Sequence, residues 1–182
     1  MDNTWFEEFA RARSAFRKGD WDSGPALTEA SLSRVLHHVQ KAGAKGITIL
    51  TAWKGHLPNA INKQNMEALR QELRSHGLGY SRLRGHWRDA VTGEGAFEPS
   101  FAVHDMPLEH AKRVGTKFKQ DAILHAGPET SGRMHLIDLA TGEHTDKGEF
   151  HPHKISTDGW SSLANHHGQT FVFEYVVESV GE

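Results

Sequence analysis

The 182-residue chain predicts an α+β fold with an antiparallel sheet on three observations: strand-like runs from Ile47 onward, two amphipathic helical stripes between them, and the order of their alternation. Ile47-Thr48-Ile49-Leu50-Thr51-Ala52-Trp53 is β-branched and apolar on both faces, as a buried strand requires. After a loop through Gly55 and Pro58, Asn62, Met66, Leu69 and Leu73 recur at helical spacing, and Gly77 and Gly79 stop the helix. Tyr80, Leu83 and Trp87 lie in a second strand. Beyond a Thr92-Gly93-Glu94-Gly95 turn, Ser100-Phe101-Ala102-Val103-His104 is a third, and the two form a hairpin. Pro107 opens a second helix with Leu108, Ala111, Val114 and Phe118 on its buried side, and Ala122-Ile123-Leu124-His125 is a fourth strand. The order β-α-β-β-α-β is the split-βαβ, ferredoxin-like arrangement, with both helices on one face of the sheet.

Two flanks extend this core. Residues 1–46 read as a helical extension, with Trp5, Phe9, Ala12 and Phe16 on one stripe and Leu32, Val35, Leu36 and Val39 on another. Residues 47–182 form the α+β domain, in which Met134–Leu139 and Phe171–Val177 are extra C-terminal strands and Thr141–Gln169 is loop-rich. The chain holds no repeat, low-complexity tract or dividing linker.

Composition narrows the function. With 21 Lys+Arg against 23 Asp+Glu there is no global field to draw nucleic acid. The basic stretch of Arg74, Arg82, Arg84 and Arg88 with His76 and His86 reads as a solvated helix end and strand face rather than a phosphate track. Without cysteine, no thiol nucleophile, thiolate-held zinc or iron–sulfur cluster is possible. No apolar run reaches the roughly 18–20 residues of a membrane span, so the expectation is a soluble, cytoplasmic protein with no membrane partner.

Several constellations bear on chemistry. The pairs His37-His38, His151/His153 and His166-His167 lack the helical i, i+4 geometry of a zinc motif and a carboxylate in ligand register, so no metal is expected. No G-x-S-x-G elbow or phosphate-binding glycine loop is present. Glu98 lies between Phe97 and Pro99 at the start of a predicted strand, and an acid flanked by apolar residues tends toward desolvation. It is a candidate for catalysis or cation binding, or else an exposed carboxylate at the hairpin's end. Gln120, just before a strand, is a ligand-holding or loop-satisfying amide. Trp53 and Trp87 end neighbouring strands, as an aromatic wall for a base or cation or as core packing.

Together these positions resemble the phage-encoded S-adenosylmethionine lyase family, formerly described as S-adenosylmethionine hydrolases. Its members have a first strand ending Ser-Ala-Phe-Arg, an Asn eight residues on, a Gly-x-Tyr segment followed by an essential Glu, and a Gln-(Asp/Glu)-x-Val-Leu strand entry. Here the strand ends Thr51-Ala52-Trp53-Lys54, Asn62 stands eight residues after Lys54, and Gly85-His86-Trp87 replaces Gly-x-Tyr. Glu98 falls at the family's Glu, and Gln120-Asp121-Ala122-Ile123-Leu124 matches the second entry. The likeness spans Ile47 to Leu124, with Lys in place of Arg and Trp in place of Phe and of Tyr. Lys lacks the planar guanidinium fork.

The resemblance implies cleavage of S-adenosylmethionine to 5′-methylthioadenosine and homoserine lactone, with Glu98 as the catalytic carboxylate. Thr51, Ala52, Trp53, Lys54, Asn62, Trp87 and Gln120 would bind substrate. It implies no cofactor, a homotrimer with sites at subunit interfaces, and a phage counter-defence role against restriction-modification in the host cytoplasm. The alternative is a non-enzymatic phage accessory protein of the same fold, a nucleotide-ligand sponge or a virion or host-interaction protein.

Overall fold

The computed structural model describes residues 45–88, 95–152, 159–163 and 170–174, with the backbone alone at 86–88, 95–97, 150–152, 159–163 and 170–174. The expected N-terminal helices therefore lie outside the described residues. The elements run β1 (Ile47–Leu50), α1 (Asn59–Ser75), β2 (Tyr80–Arg88), β3 (Gly95–His104), α2 (Leu108–Lys117) and β4 (Ala122–Ala126). Four more strands follow: β5 (Met134–Asp138), β6 (His144–Pro152), β7 (Gly159–Leu163) and β8 (Thr170–Glu174).

β1 pairs antiparallel with β3 on one side and β4 on the other, and β2 lies outside β3. The resulting order β4-β1-β3-β2 is the ferredoxin-like sheet expected of β-α-β-β-α-β. The sheet does not stay open. β5 adds to β4, and β6, β8 and β7 continue to the free side of β2, so the eight strands close into an antiparallel barrel. Closure gives the outer backbones of β2 and β4 hydrogen-bonding partners and leaves no edge. β6 and β7 fall in the stretch expected to be loop-rich. Their sequences, HTDKGEFHP and GWSSL, carry no apolar alternation, so neighbouring strands rather than side-chain pattern define them. The two further C-terminal strands match β5 and β8, residues 175–177 lying outside the described residues.

Alternation along the strands builds two cores. Leu50, Phe101, Val103, Ile123 and Ile137 pack with Met66, Leu69 and Leu73 of α1 and with Ala111 and Val114 of α2. Ile47, Leu83, Ala102, Ala126 and Met134 face the other way, into the barrel. Both helices thus cover one face. Gly115 permits the close approach of α2: a Cβ there would meet Leu139 Cδ1 at 2.7 Å and Ile123 Cγ2 at 2.8 Å. Among the described residues no helix is long and apolar enough to cross a membrane.

Candidate functional site

Beyond β1 the chain runs on through Thr51-Ala52-Trp53-Lys54 and is fixed by short local contacts. The Ala52 N–H points at Met66 Sδ at 3.1 Å. The Thr51 hydroxyl donates to the Pro99 carbonyl at 2.8 Å and accepts the Trp53 N–H at 3.0 Å, tying this segment to β3. Asn62, 1% exposed, holds the turn that follows. Its Nδ2 donates to the carbonyls of Lys54 (2.8 Å) and Leu57 (3.0 Å), and its Oδ1 accepts the Lys54 N–H (2.8 Å). One amide thereby satisfies three backbone groups that the turn leaves outside any ladder.

α2 ends nearby in a Schellman cap. The Lys119 N–H bonds the Thr116 carbonyl at 3.0 Å and the Gln120 N–H bonds the Gly115 carbonyl at 2.9 Å, with Lys119 left-handed at φ 55°. The cap turns the Lys119 carbonyl toward Lys54, whose Nζ donates to it at 2.5 Å.

Between these segments lies an open cleft of about 810 Å³. Ala52, Trp53, Lys54, His56 and Leu57 of the segment after β1, Lys117, Phe118, Lys119 and Asp121 around the end of α2, and Glu98 of β3 are among its lining residues. Glu98 is half-buried, opposite Gly85 in the hairpin. Burial pushes its carboxyl up to about 7, and the Asp121 charge reinforces that, while the Lys54 charge opposes it. Lys117 Nζ is paired with Glu72 of α1 at 2.6 Å. The cleft thus offers carboxylates, amines and two aromatic side chains within one space. That set suits a ligand carrying both signs of charge on an apolar body.

The structure brings together Ala52, Trp53, Lys54 and Glu98 as lining residues, with Thr51 bonded behind them. Asn62 is not in the lining and acts on the cleft through the 54–57 turn. Gln120 is also outside the lining; its Oε1 is buried without a hydrogen-bond partner among the described residues, while its neighbours Lys119 and Asp121 face the cleft. Trp87 pairs with Ala96 and Gly159 through its backbone, and its side chain is outside the described part. Lys117 and Lys119 are readable in the sequence only as the end of an amphipathic helix, and Phe118, expected on that helix's buried side, also lines the cleft. Among the described residues no group of three or more His, Asp or Glu is arranged to hold a metal. The side chains of the three histidine pairs are outside them.

The model of a family described only as a protein of unknown function (DUF3293) matches residues 50–123, a span that includes every lining residue of the cleft. No curated protein matches the chain.

Proposed function

We propose that this cleft binds S-adenosylmethionine and that the protein is a lyase cleaving it to 5′-methylthioadenosine and homoserine lactone. The observation that carries the reading is a half-buried carboxylate, Glu98, sharing one cleft with Trp53, Phe118, Lys54 and Lys119. The reaction needs no proton transfer. An oxygen of the methionine carboxylate attacks the γ-carbon, the carbon–sulfur bond breaks, and its electron pair leaves the sulfur neutral on methylthioadenosine. Opposite charges disappear as the transition state forms, so a drier pocket that holds the substrate folded favours the step over bulk water.

The side chains divide the work by charge. Ionised above pH 7, Glu98 attracts the sulfonium or the ammonium, and the faces of Trp53 and Phe118 suit a cation as well. Thr51 and Asn62 hold the segment that carries Trp53 and Lys54. In this reading the open side of the cleft is closed by a second chain of a homotrimer, and the enzyme works in the host cytoplasm against restriction-modification.

One observation favours a second reading, in which the cleft binds the nucleoside without cleaving it: the Lys54 amine is engaged by the Lys119 carbonyl rather than presented to a ligand. Incubation of purified protein with S-adenosylmethionine, followed by chromatography, separates the two. Methylthioadenosine from the wild type and none from Glu98→Gln is the expected result. Binding by calorimetry with no product would establish the sponge, and neither product nor binding would remove both readings.

A further inference from the structure

Resting on that reading, we propose that Lys119 is the specificity residue of the cleft, its amine taking the carboxylate of a zwitterionic ligand. Three lysines line the cleft, and the amines of two are already engaged: Lys54 Nζ by the Lys119 carbonyl and Lys117 Nζ by Glu72. The Lys119 amine has no hydrogen-bond or ion-pair partner among the described residues. Lys119 lines the cleft together with Asp121 and Trp53, so the cleft carries both signs of charge and an aromatic side chain.

Lys119 occupies the residue after the helix C-cap at φ 55°, the left-handed position that glycine fills most readily, as Gly77 does at φ 68° beyond α1. A side chain kept at a strained cap calls for a reason. Two present themselves, and they predict opposite effects of removing it. If the amine serves the negative end of the helix, its loss lowers stability. If it serves the ligand, Lys119→Gly relieves strain and raises the melting midpoint by about 2–4 °C while weakening binding.

The experiment uses the full chain at pH 8 with two probes, S-adenosylmethionine and its decarboxylated form, which keeps the sulfonium and the amine. Affinity for the first is read as KM where it is turned over and by calorimetry where it is not; the second is read as an inhibition or dissociation constant. We expect the wild type to prefer the carboxylate-bearing probe about tenfold or more, consistent with one charge-assisted hydrogen bond. Lys119→Gly should lose that preference by weakening only this probe, and Lys119→Arg should restore it. Retained discrimination in Lys119→Gly, or an equal loss for both probes with a lowered midpoint, would overturn the assignment while leaving the nucleoside cleft standing. A wild type that binds neither probe would defeat the proposed function, and this assignment with it.

Discussion

His125 and Glu98 lie toward opposite ends of the sheet centred on β1, and both are ionisable groups withdrawn from water, yet their surroundings differ in kind. At the β1 entrance His125 is 0% exposed, its Nδ1 shares a 2.8 Å hydrogen bond with the Thr48 hydroxyl, and its Nε2 lies 3.2 Å from Glu129 Oε1. There is no room beside it: a Cβ on Gly127 would fall 2.7 Å from Nε2. At the β1 exit Glu98 opens on the cleft, held in its neutral range by burial and by Asp121. The lesson is that a perturbed ionisable group marks a site only where space and unmet charge accompany it. The imidazole is hydrogen-bonded to Thr48 on one side, while its Nε2, though near Glu129, makes no hydrogen bond among the described residues.

The largest effect is expected at Glu98. Glu98→Gln should lower turnover on the order of 100- to 1000-fold, the scale of losing one electrostatic contact to the reacting charges. Stability should move the other way. Because the folded carboxyl is raised from 4.5 to about 7, its contribution is full below pH 4.5 and is lost as pH rises to 7. The loss is on the order of 3 kcal/mol at most. Urea unfolding at pH 8 should therefore find Glu98→Gln more stable than the wild type, with the gap closing near pH 4. A less stable variant at pH 8 would mean that the carboxylate is satisfied where it lies. At the other end the sign reverses. Burial holds His125 below its usual range, so its contribution is present above about pH 6.5 and falls away as the medium is acidified through the folded value. His125→Ala should cost about 3 kcal/mol through the cavity and the severed Thr48 bond, and leave kcat and KM of the folded fraction unchanged.

What the sequence shows differs between the same two regions. Residues that pack by period were readable: Asn62, Met66, Leu69 and Leu73 are the buried residues of α1, and the β-α-β-β-α-β order follows from such stripes. Glu98 was readable because Phe97 and Pro99 flank it. Barrel closure was not, since β6 and β7 carry no apolar alternation and β7 closes the ring by pairing with β2, far away in sequence. The lysine wall was hidden for a related reason. Lys117 and Lys119 look like ordinary basic residues at a helix end, and only the left-handed turn at Lys119 brings them beside a strand exit 65 residues earlier. Asn62 was found by position, but its work on three backbone groups depends on a turn geometry that spacing does not encode.

An intermediate effect is expected at Asn62. Asn62→Ala leaves three backbone groups to find other partners and should cost about 2 kcal/mol, by analogy with other buried hydrogen-bond losses. Because the 54–57 turn carries Trp53 and Lys54 to the cleft, kcat/KM should also fall, about tenfold. An equal loss of stability with unchanged kcat/KM would separate the turn from the site.

The smallest effect is expected at Glu72, which joins α1 to the cleft wall through Lys117. Lysine draws the Glu72 carboxyl below the usual range, with burial opposing, but Lys117 is 58% exposed, and such pairs contribute at most about 0.5 kcal/mol after solvent screening. Glu72→Gln should therefore shift the melting midpoint by no more than about 1–2 °C. Its effect on the cleft has the opposite sense, because the Lys117 amine is released toward the ligand's anionic end. Affinity for S-adenosylmethionine should rise about two- to threefold at low salt and return to the wild-type value near 0.5 M salt, where surface charges are screened. If the variant binds more weakly at low salt, the ion pair instead holds Lys117 in its working position, and the anionic end of the ligand is shared between two lysines rather than read by Lys119 alone.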